Sequence, residues 1–539
     1  MTSLPSKTPG LACATALLAL GACSDPSDLA DRPDVLLISI DSVRADTLTF
    51  LDPETTPNLA RLARRGTVFT QAVSGSSWTL PAHAQMFTGQ PPAVHGVQKD
   101  DLRIDPATPT LSEVLSRGGW RTAGFWTGWY LSSEYGFGRG FDTYRNSMTV
   151  DPEANEDLKA ALLERGDEAD EALSLMRQVA SHQDITSQQL VEDVLSELDA
   201  LDRQAGAEPR FLFCHLFDPH YDYIPPAPFD TAFDPDYTGE MTGHGFWDNR
   251  LVFDPAQNPA RQISDRDLEH VRALYRGELA WTDAALGRIL DRLEADGRLA
   301  NTLVIVTSDH GEEFFEHGDR GHRNTLYDEV LRVPLLIVPP GSAAGTAPRL
   351  CETQVTLSDL LPTALDYAGL DAGDDVFGRS LRPLVEGGTL PPRPAVSSLL
   401  VRFQSPGNAE YQYLLTQSVR TPTSKFLRMV TFEGERPRVR RFAQFDLESD
   451  PLEQRPRSDA TRAQISALWE AFEDDLDPVR QAFEARARAP LAERVTLVRE
   501  TFAGDLQDLG YLDGGTDEVA TPPAWLMAPL PRLPLPDRL

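Results

Sequence analysis

Short apolar runs alternate with amphipathic stretches along most of this chain. "DVLLISID" (34–41) is an unbroken apolar run closing on a carboxylate, the pattern of a strand buried on both faces of a parallel sheet. "TPNLARLARRGTVFTQAV" follows as an amphipathic helix that opens at Pro57 and Asn58, stops at Gly66 and feeds a short strand. "TLSEVLSRGGWRTAGFWTG" repeats the order helix, glycine, strand. Residues from about 151 to 204 are acidic and helical in pattern, with "TSQQLVEDVLSELDAL" the best amphipathic stretch. "FLFCHLFDPH" is another buried strand. "DLEHVRALYRGELAWTDAALGRILDRLEADGRL" is a long helix that leaves room for one break and ends at Gly297, and "NTLVIVTSDHGEE" and "LRVPLLIVPPG" are the last apolar runs of this region. Helices alternating with buried strands predict a doubly covered, mostly parallel sheet.

A boundary falls near Pro391 to Pro394, where "PPRPA" interrupts the pattern. Beyond it, "YQYLLTQSVR", "SKFLRMVTF" and "QFDLESDP" read as strands and "ISALWEAFEDDL" as a helix, which predicts a small antiparallel sheet with a packed helix. The expected division is a signal segment at 1–22, a linker at 23–33, an α/β domain at 34–390, a C-terminal subdomain at 391–515 and a proline-rich tail at 516–539.

The segment "SWTLPAHAQMFTG" (77–89) poses the first chemical question. Pro81 suits the first turn of a helix and Gly89 suits its end, so a helix is expected from about Pro81 to Thr88. Thr79 then stands at the N-terminal end, among N–H groups that lack helical partners, with His83 one turn on and on the same face. Thr79 reads either as a cap or as a nucleophile toward an anionic group held at that end.

Charge and cysteines narrow the setting. Lys and Arg number 50 against 82 Asp and Glu, a net charge of −32, which argues against a nucleic-acid partner held by charge. Near the N-terminus Lys7 precedes the apolar run "LACATALLALGA", which is too short to span a bilayer, and Cys23 follows Leu20, Gly21 and Ala22. That arrangement resembles a bacterial lipoprotein signal. It implies acylation at Cys23, a periplasmic or cell-surface location on a lipid anchor and, with Ser24 next, sorting to the outer membrane. Cys214 and Cys351 would remain, Cys214 in an apolar run that suits a buried thiol. Their spacing leaves a disulfide between them open.

Three apolar runs end in polar residues: Asp41 after "VLLISI", Asp309 and His310 after "LVIVTS", and Asp218 and His220 after "FLFCHLF". Strand carboxyl ends of an open parallel sheet line one edge, where ligands bind. Asp at a strand end is also a common turn former. Carboxylates and imidazoles gathered there suit a divalent cation, and a hydroxyl beside it becomes a candidate nucleophile.

In order along the chain come "ISIDSVRADTL", "TPNLARLARRGTVFTQA", "TLPAHAQMFTGQPPAVHGV", "GFGRGFDTY", "FCHLFDPH", "SDHGEEFFEHG", "LYDEVLRVPLLI", "DLLPTALDYAGL" with "GRSL", and "FDLESDPLEQ". This series resembles the sulfatase family of the alkaline phosphatase superfamily, over most of the chain from about Asp34 to Gln454. The resemblance implies an α/β fold with a mixed, mostly parallel sheet between helices and a small C-terminal antiparallel subdomain. It implies Asp41, Asp309 and His310 as ligands of one divalent metal ion (Ca, Mn or Zn), and Thr79 as a nucleophile that also touches the metal. His83 takes the place of the family's arginine in the nucleophile helix, there to offset charge on the transferred group. His220 and His322 resemble the residues that hold the transferred group or protonate the leaving oxygen. A second metal site would draw on Asp218, His220 and His322. His215 reads as structural, Arg44 and Asp46 as a salt-linked turn, and Trp126 and Trp129 as core or as a substrate wall.

The chain also departs from the family's usual pattern. No cysteine or serine stands in a CxPxR-type context that formylglycine formation needs, Ser42 replaces the usual second Asp, and Asp309-His310 replaces the usual Asp-Asn. These changes move the site toward relatives that cleave phosphoesters or phosphonates, some of which share the motif Thr-x-Pro-x-His. The leading expectation is a metal-dependent hydrolase of a small-molecule, glycan or lipid ester, with phospho-substrates favoured. The alternatives are an arylsulfatase-like sulfuric ester hydrolase, an envelope phospho-group transferase, and a non-catalytic glycan-binding lipoprotein. The anchor is tested directly: Cys23→Ala is expected to move the protein from the membrane fraction to the soluble one, and unchanged partition would refute acylation at Cys23.

Overall fold

The computed structural model describes residues 32–47, 49–100, 102–148, 186–204, 208–243, 263–404, 411–433, 436–457 and 474. The expected signal segment with Cys23, the acidic stretch before residue 186 that is helical in pattern, the helix expected at "ISALWEAFEDDL" apart from residue 474, and the proline-rich tail lie outside the described residues.

The principal elements, in chain order, are β1 (Asp34–Ile40), α1 (Pro57–Ala63), β2 (Thr67–Val73), α2 (Thr79–Thr88), α3 (Leu111–Arg117), β3 (Arg121–Trp126), β4 (Thr143–Asn146), α4 (Ser187–Arg203), β5 (Arg210–Leu216), α5 (Asp265–Ala295), β6 (Thr302–Ser308), β7 (Glu313–Phe314), β8 (Arg320–Gly321), β9 (Arg332–Val338), β10 (Arg349–Cys351), β11 (Val355–Thr356), α6 (Leu360–Ala368), β12 (Ala395–Gln404), β13 (Tyr411–Arg420), β14 (Ser424–Glu433) and β15 (Arg436–Asp446). The large sheet runs β10-β2-β9-β6-β1-β5-β3-β4, with β11 also on β2. β1 pairs in parallel with β5 and β6, and β3 with β4 and β5. β9 is antiparallel to both of its neighbours, so the sheet is mixed and mostly parallel.

Alternation along β1 explains the layers. Val35 and Leu37 join one apolar cluster with α2, α3 and α6; Leu36, Ile38 and Ile40 join another with α1, α4 and α5. Both faces are covered, which is why the strands read as continuous apolar runs. α5 is a single unbroken helix of 31 residues. Its sequence suggests a break because the buried stripe changes partner: Val271, Leu274 and Tyr275 meet Tyr223 and Phe314, whereas Leu279, Leu286 and Ile289 meet the sheet.

The four-stranded sheet β12-β13-β14-β15 is antiparallel throughout. Leu399, Leu415, Val419, Phe426 and Val430 belong to the same apolar cluster as α2 and α6, so this sheet closes over the large sheet's helices and shares their core. A buried ionic network pins the junction. Asp328, in a short helix before β9, pairs with Arg420 at 2.9 Å and Lys425 at 3.0 Å, and Lys425 also pairs with Glu453 at 3.0 Å. Glu453 further accepts the Asp328 amide. Removing one member of such a network leaves buried charge without compensation. Asp328→Ala is therefore expected to cost about 3–5 kcal/mol of stability, read from denaturant unfolding; a loss within the error of the method would show that the junction does not depend on it.

Candidate active site

The polar residues that follow β1 and β6 meet because of strand register. Ile40 pairs with Ser308, so the next residues, Asp41 and Asp309, emerge side by side at the carboxyl edge of the sheet. Both are fully buried, as is His310. Asp41, Asp309 and His310 each turn one ligand atom to a common point, with those atoms within 4.8 Å of one another. Ser42 sits between them in left-handed backbone, φ 59. Its hydroxyl donates to Asp41 Oδ1 at 2.7 Å and its amide to Asp309 Oδ1 at 3.3 Å. Tyr275 holds the turn by donating to Ser42 O at 2.9 Å.

His310 arrives in the form a metal needs. Its Nδ1 is 2.9 Å from the Gly311 carbonyl, so Nδ1 carries the proton and Nε2 presents a lone pair to the cluster. Gly311 is required there, because a Cβ would lie 2.0 Å from Glu329 O. Asp309 Oδ2 is buried with no hydrogen-bond partner, and burial pushes the Asp41 carboxyl above its ordinary value, with His310 opposing. A buried carboxylate oxygen with no partner, a second carboxylate and an oriented imidazole nitrogen fit a divalent cation.

Thr79 completes the group. α2 begins at Thr79 rather than Pro81, because Trp78 in extended backbone takes the capping position and Pro81, at the third helical position, needs no N–H partner. All ten residues of α2 are buried, and Gly89 ends it with φ 65, its amide returning to Gln85 O at 2.9 Å. The Thr79 hydroxyl lies 3.3 Å from Asp41 Oδ2 and 3.5 Å from His310 Nε2. It faces the ligand cluster.

The histidines divide into two sets. His83 lies beneath the site: Nδ1 donates to Thr79 O at 2.9 Å and Nε2 accepts from the Ser39 hydroxyl at 3.0 Å. Burial, with His215 beside it, pushes His83 down to about 3. Its Nδ1 also lies 3.7 Å from Asp309 Oδ2, and the ring holds the first turn of α2 on β1. His215 is buried with its ring edge-on to His83 at 4.6 Å and its Nε2 3.5 Å from Asp41 Oδ2. His220 and His322 stand together at the site, ring centres 4.8 Å apart, with His322 4.3 Å from the His310 ring.

The second metal site expected from Asp218, His220 and His322 does not gather among the described residues. Asp218 is turned to the start of α4, where its carboxylate accepts from the Ser187 amide at 2.9 Å and the Ser187 hydroxyl at 2.5 Å. Glu313, His317 and Glu329 do converge. They are bound to one another and to the β7–β8 hairpin: His317 Nδ1 donates to Glu329 at 2.6 Å, and Glu313 accepts two hairpin amides at 3.0 Å. Arg44 and Asp46 form a two-bond pair, 2.9 and 2.7 Å. Trp126 packs in the core and Trp129 is half-buried. Cys214 and Cys351 are both buried free thiols.

Glu312 and Tyr223 are absent from the sequence-derived set. Glu312 is fully buried, accepting from His322 Nδ1 at 3.0 Å and from the Tyr223 hydroxyl at 2.9 Å. The only sequence signal was its place directly after "DHG", in a run of acidic residues that reads as solvated surface.

The model of the sulfatase family matches residues 33–370. The chain belongs to the sulfatase family. Hydrolysis of sulfate or phosphate esters is its reaction class, and the family is generally metal-dependent. The Ulvan-active sulfatase of Formosa agariphila is 26% identical over 424 residues, covering 76% of this chain and 75% of that protein. Human Arylsulfatase K is 26% identical over 409 residues, covering 69% and 70%. Among solved structures, the phosphonate monoester hydrolase of Agrobacterium radiobacter superposes with a TM-score of 0.60 at 23% identity, covering 84% of this chain and 96% of that one. BT4656, solved with its substrate D-glucosamine-2-N,6-O-disulfate, superposes with a TM-score of 0.58 at 18% identity over 84% of this chain and 98% of that one.

The cluster predicts a separable loss. Asp309→Ala is expected to bring metal content, read by mass spectrometry, to background and abolish ester hydrolysis while leaving the unfolding midpoint close to that of the metal-free parent. Full metal occupancy in that variant would remove Asp309 from the ligand set.

Proposed function

We propose that this sulfatase-family enzyme is a metal-dependent hydrolase in which Thr79 is the nucleophile and phosphoesters or phosphonates are preferred to sulfate esters. The observation that carries the reading is the Thr79 hydroxyl, 3.3 Å from Asp41 Oδ2 and 3.5 Å from His310 Nε2, on a helix buried along its whole length. Asp41, Asp309, His310 and Thr79 would hold one divalent cation. When bound, it supplies Lewis-acid charge to the transferred group and to the Thr79 oxygen.

The chain's own groups account for the remaining steps. The buried α2 holds Oγ1 fixed, so little orientation is left to be found during reaction. Oγ1 gives up its proton toward Asp41 Oδ2, 3.3 Å away, and attacks phosphorus, forming one P–O bond as the bond to the leaving oxygen breaks. That oxygen takes a proton from the His220 and His322 side of the site. Water then attacks the Thr79 adduct at phosphorus, and the P–O bond to Oγ1 breaks to restore the hydroxyl. His83 positions the first turn of α2 and carries no charge in this scheme.

The preference follows from counting hydroxyls. A formylglycine hydrate has two, so one can expel the sulfate transferred to the other. Threonine has one, and its adduct needs a second in-line displacement, which phosphorus accepts more readily than sulfur in an ordinary sulfate ester. The substrate is a small-molecule, glycan or lipid ester met at the cell envelope, where acylation at Cys23 would tether the enzyme. A panel of aryl sulfate, phosphate monoester, phosphodiester and phosphonate ester on the metal-loaded protein tests this. At least one phospho-ester should be turned over faster than the sulfate; the opposite order would overturn the preference. Thr79→Ala should lower kcat by a factor on the order of 10⁴ or more, and Thr79→Ser should retain part of it. Full activity in Thr79→Ala would remove the nucleophile assignment.

A further inference from the structure

We propose that Glu312 is a positioning residue for His322, and that Tyr223 holds Glu312 in that task. The proposal rests on the reading above in one respect: His322 is taken as a group that exchanges a proton with the leaving oxygen. The geometry concerns how its ring is set.

Glu312 follows the ligand loop and is immobilised at every end. Its amide donates to Glu329 O at 3.1 Å, and its carbonyl accepts from Arg44 Nη1 at 2.7 Å. Its side chain is fully buried, and each carboxylate oxygen has a defined donor: Oε1 faces His322 Nδ1 at 3.0 Å and Oε2 faces the Tyr223 hydroxyl at 2.9 Å. Tyr223 is itself fully buried, its ring edge-on to Tyr275 at 5.5 Å and tilted on Phe314 at 5.7 Å. The Tyr223 hydroxyl donates to one oxygen, and with the carboxylate ionised the other accepts from His322, which then presents Nδ1 as N–H. Proton exchange with substrate is thereby assigned to Nε2, the nitrogen on the opposite edge of the ring.

The ring's position makes that assignment useful. His322 lies 4.3 Å from the His310 ring, and His310 Nε2 lies 3.5 Å from Thr79 Oγ1. On its other sides are His220 at 4.8 Å and Tyr221 at 4.9 Å. Without a fixed acceptor on Nδ1, the imidazole can take either tautomer, and only one presents the exchanging nitrogen to the substrate. Glu312 is not among the converging ligand atoms of the metal cluster; its contribution reaches the reaction through His322.

The test uses the metal-loaded enzyme with Glu312→Gln, Tyr223→Phe, His322→Asn and the Glu312→Gln/His322→Asn double variant. The probes are the 4-nitrophenyl and methyl esters of phenylphosphonic acid. Good leaving groups need little protonation, so Glu312→Gln should leave kcat on the nitrophenyl ester nearly unchanged and lower it on the methyl ester by about 10²-fold, with KM held. Tyr223→Phe should show a smaller loss of the same kind. The double variant should be no slower than His322→Asn alone. Imidazole 15N signals, which need no substrate, should report Nδ1–H for His322 in the parent and loss of that preference in Glu312→Leu, which removes the acceptor that Gln would retain. An unchanged tautomer, an equal loss on both esters, or an additive double variant would overturn the role of Glu312. A tautomer that shifts as expected beside a His322→Asn variant with no leaving-group dependence would instead overturn the acid assignment and leave the positioning of the ring standing.

Discussion

Two carboxylates are buried next to each other at the end of the central strands, an arrangement that is costly without compensating charge. Asp41 and Asp309 are fully enclosed, and among the described residues the ion-pair distances to them come from histidines alone, at 3.4–3.7 Å. Each buried carboxylate costs several kcal/mol unless opposite charge is brought close. Much of the surrounding architecture can be read as the means of holding that arrangement until a cation supplies the charge. Register between β1 and β6 sets the spacing, the left-handed turn at Ser42 aims one donor at each carboxylate, and the Gly311 carbonyl fixes the proton of His310 on Nδ1. His310 Nε2 and Asp309 Oδ2 are thereby left to the centre.

The same requirement explains why the nucleophile is carried by a helix with no exposed face. α2 lies wholly inside the apolar cluster shared by the large sheet and the four-stranded sheet, so the oxygen of Thr79 has little freedom to relax away from the carboxylates. His83 and His215, beneath it, are kept neutral by burial, at about 3 and about 4. His83 hydrogen-bonds to Thr79 and Ser39 without adding charge, and the His215 ring packs edge-on against it.

Periodicity carried the fold well. Continuous apolar runs revealed β1, β5 and β6, and helix stops at Gly66, Gly89 and Gly297 marked real ends or turns. The start of α2 was less legible, since Trp78 is an unusual residue for a cap and Pro81 is acceptable two residues inside a helix. Asp41, Asp309 and His310 could be suspected because each follows an apolar run directly. Asp218 follows one as well, yet it serves Ser187, and nothing local distinguishes a strand-end carboxylate that binds a ligand from one that caps a helix. Glu312 lay beyond sequence reasoning for the opposite reason. An acidic residue inside "GEEFFE" is ordinarily solvated, and only the tertiary approach of Tyr223 and His322 shows that this one is enclosed.

The family match ends at residue 370, well before the four-stranded sheet begins at Ala395. That sheet nonetheless contributes Arg420 and Lys425 to the charge cluster around Asp328, and Asp328 lies in the same stretch of chain as His322. The stability of the small sheet and that of the stretch carrying His322 are thereby tied together. A nick near residue 391 would therefore not free a competent catalytic core: the two fragments would remain associated through their common interior, and separating them would take Arg420 and Lys425 from Asp328 and slacken the stretch that carries His322 in the same event.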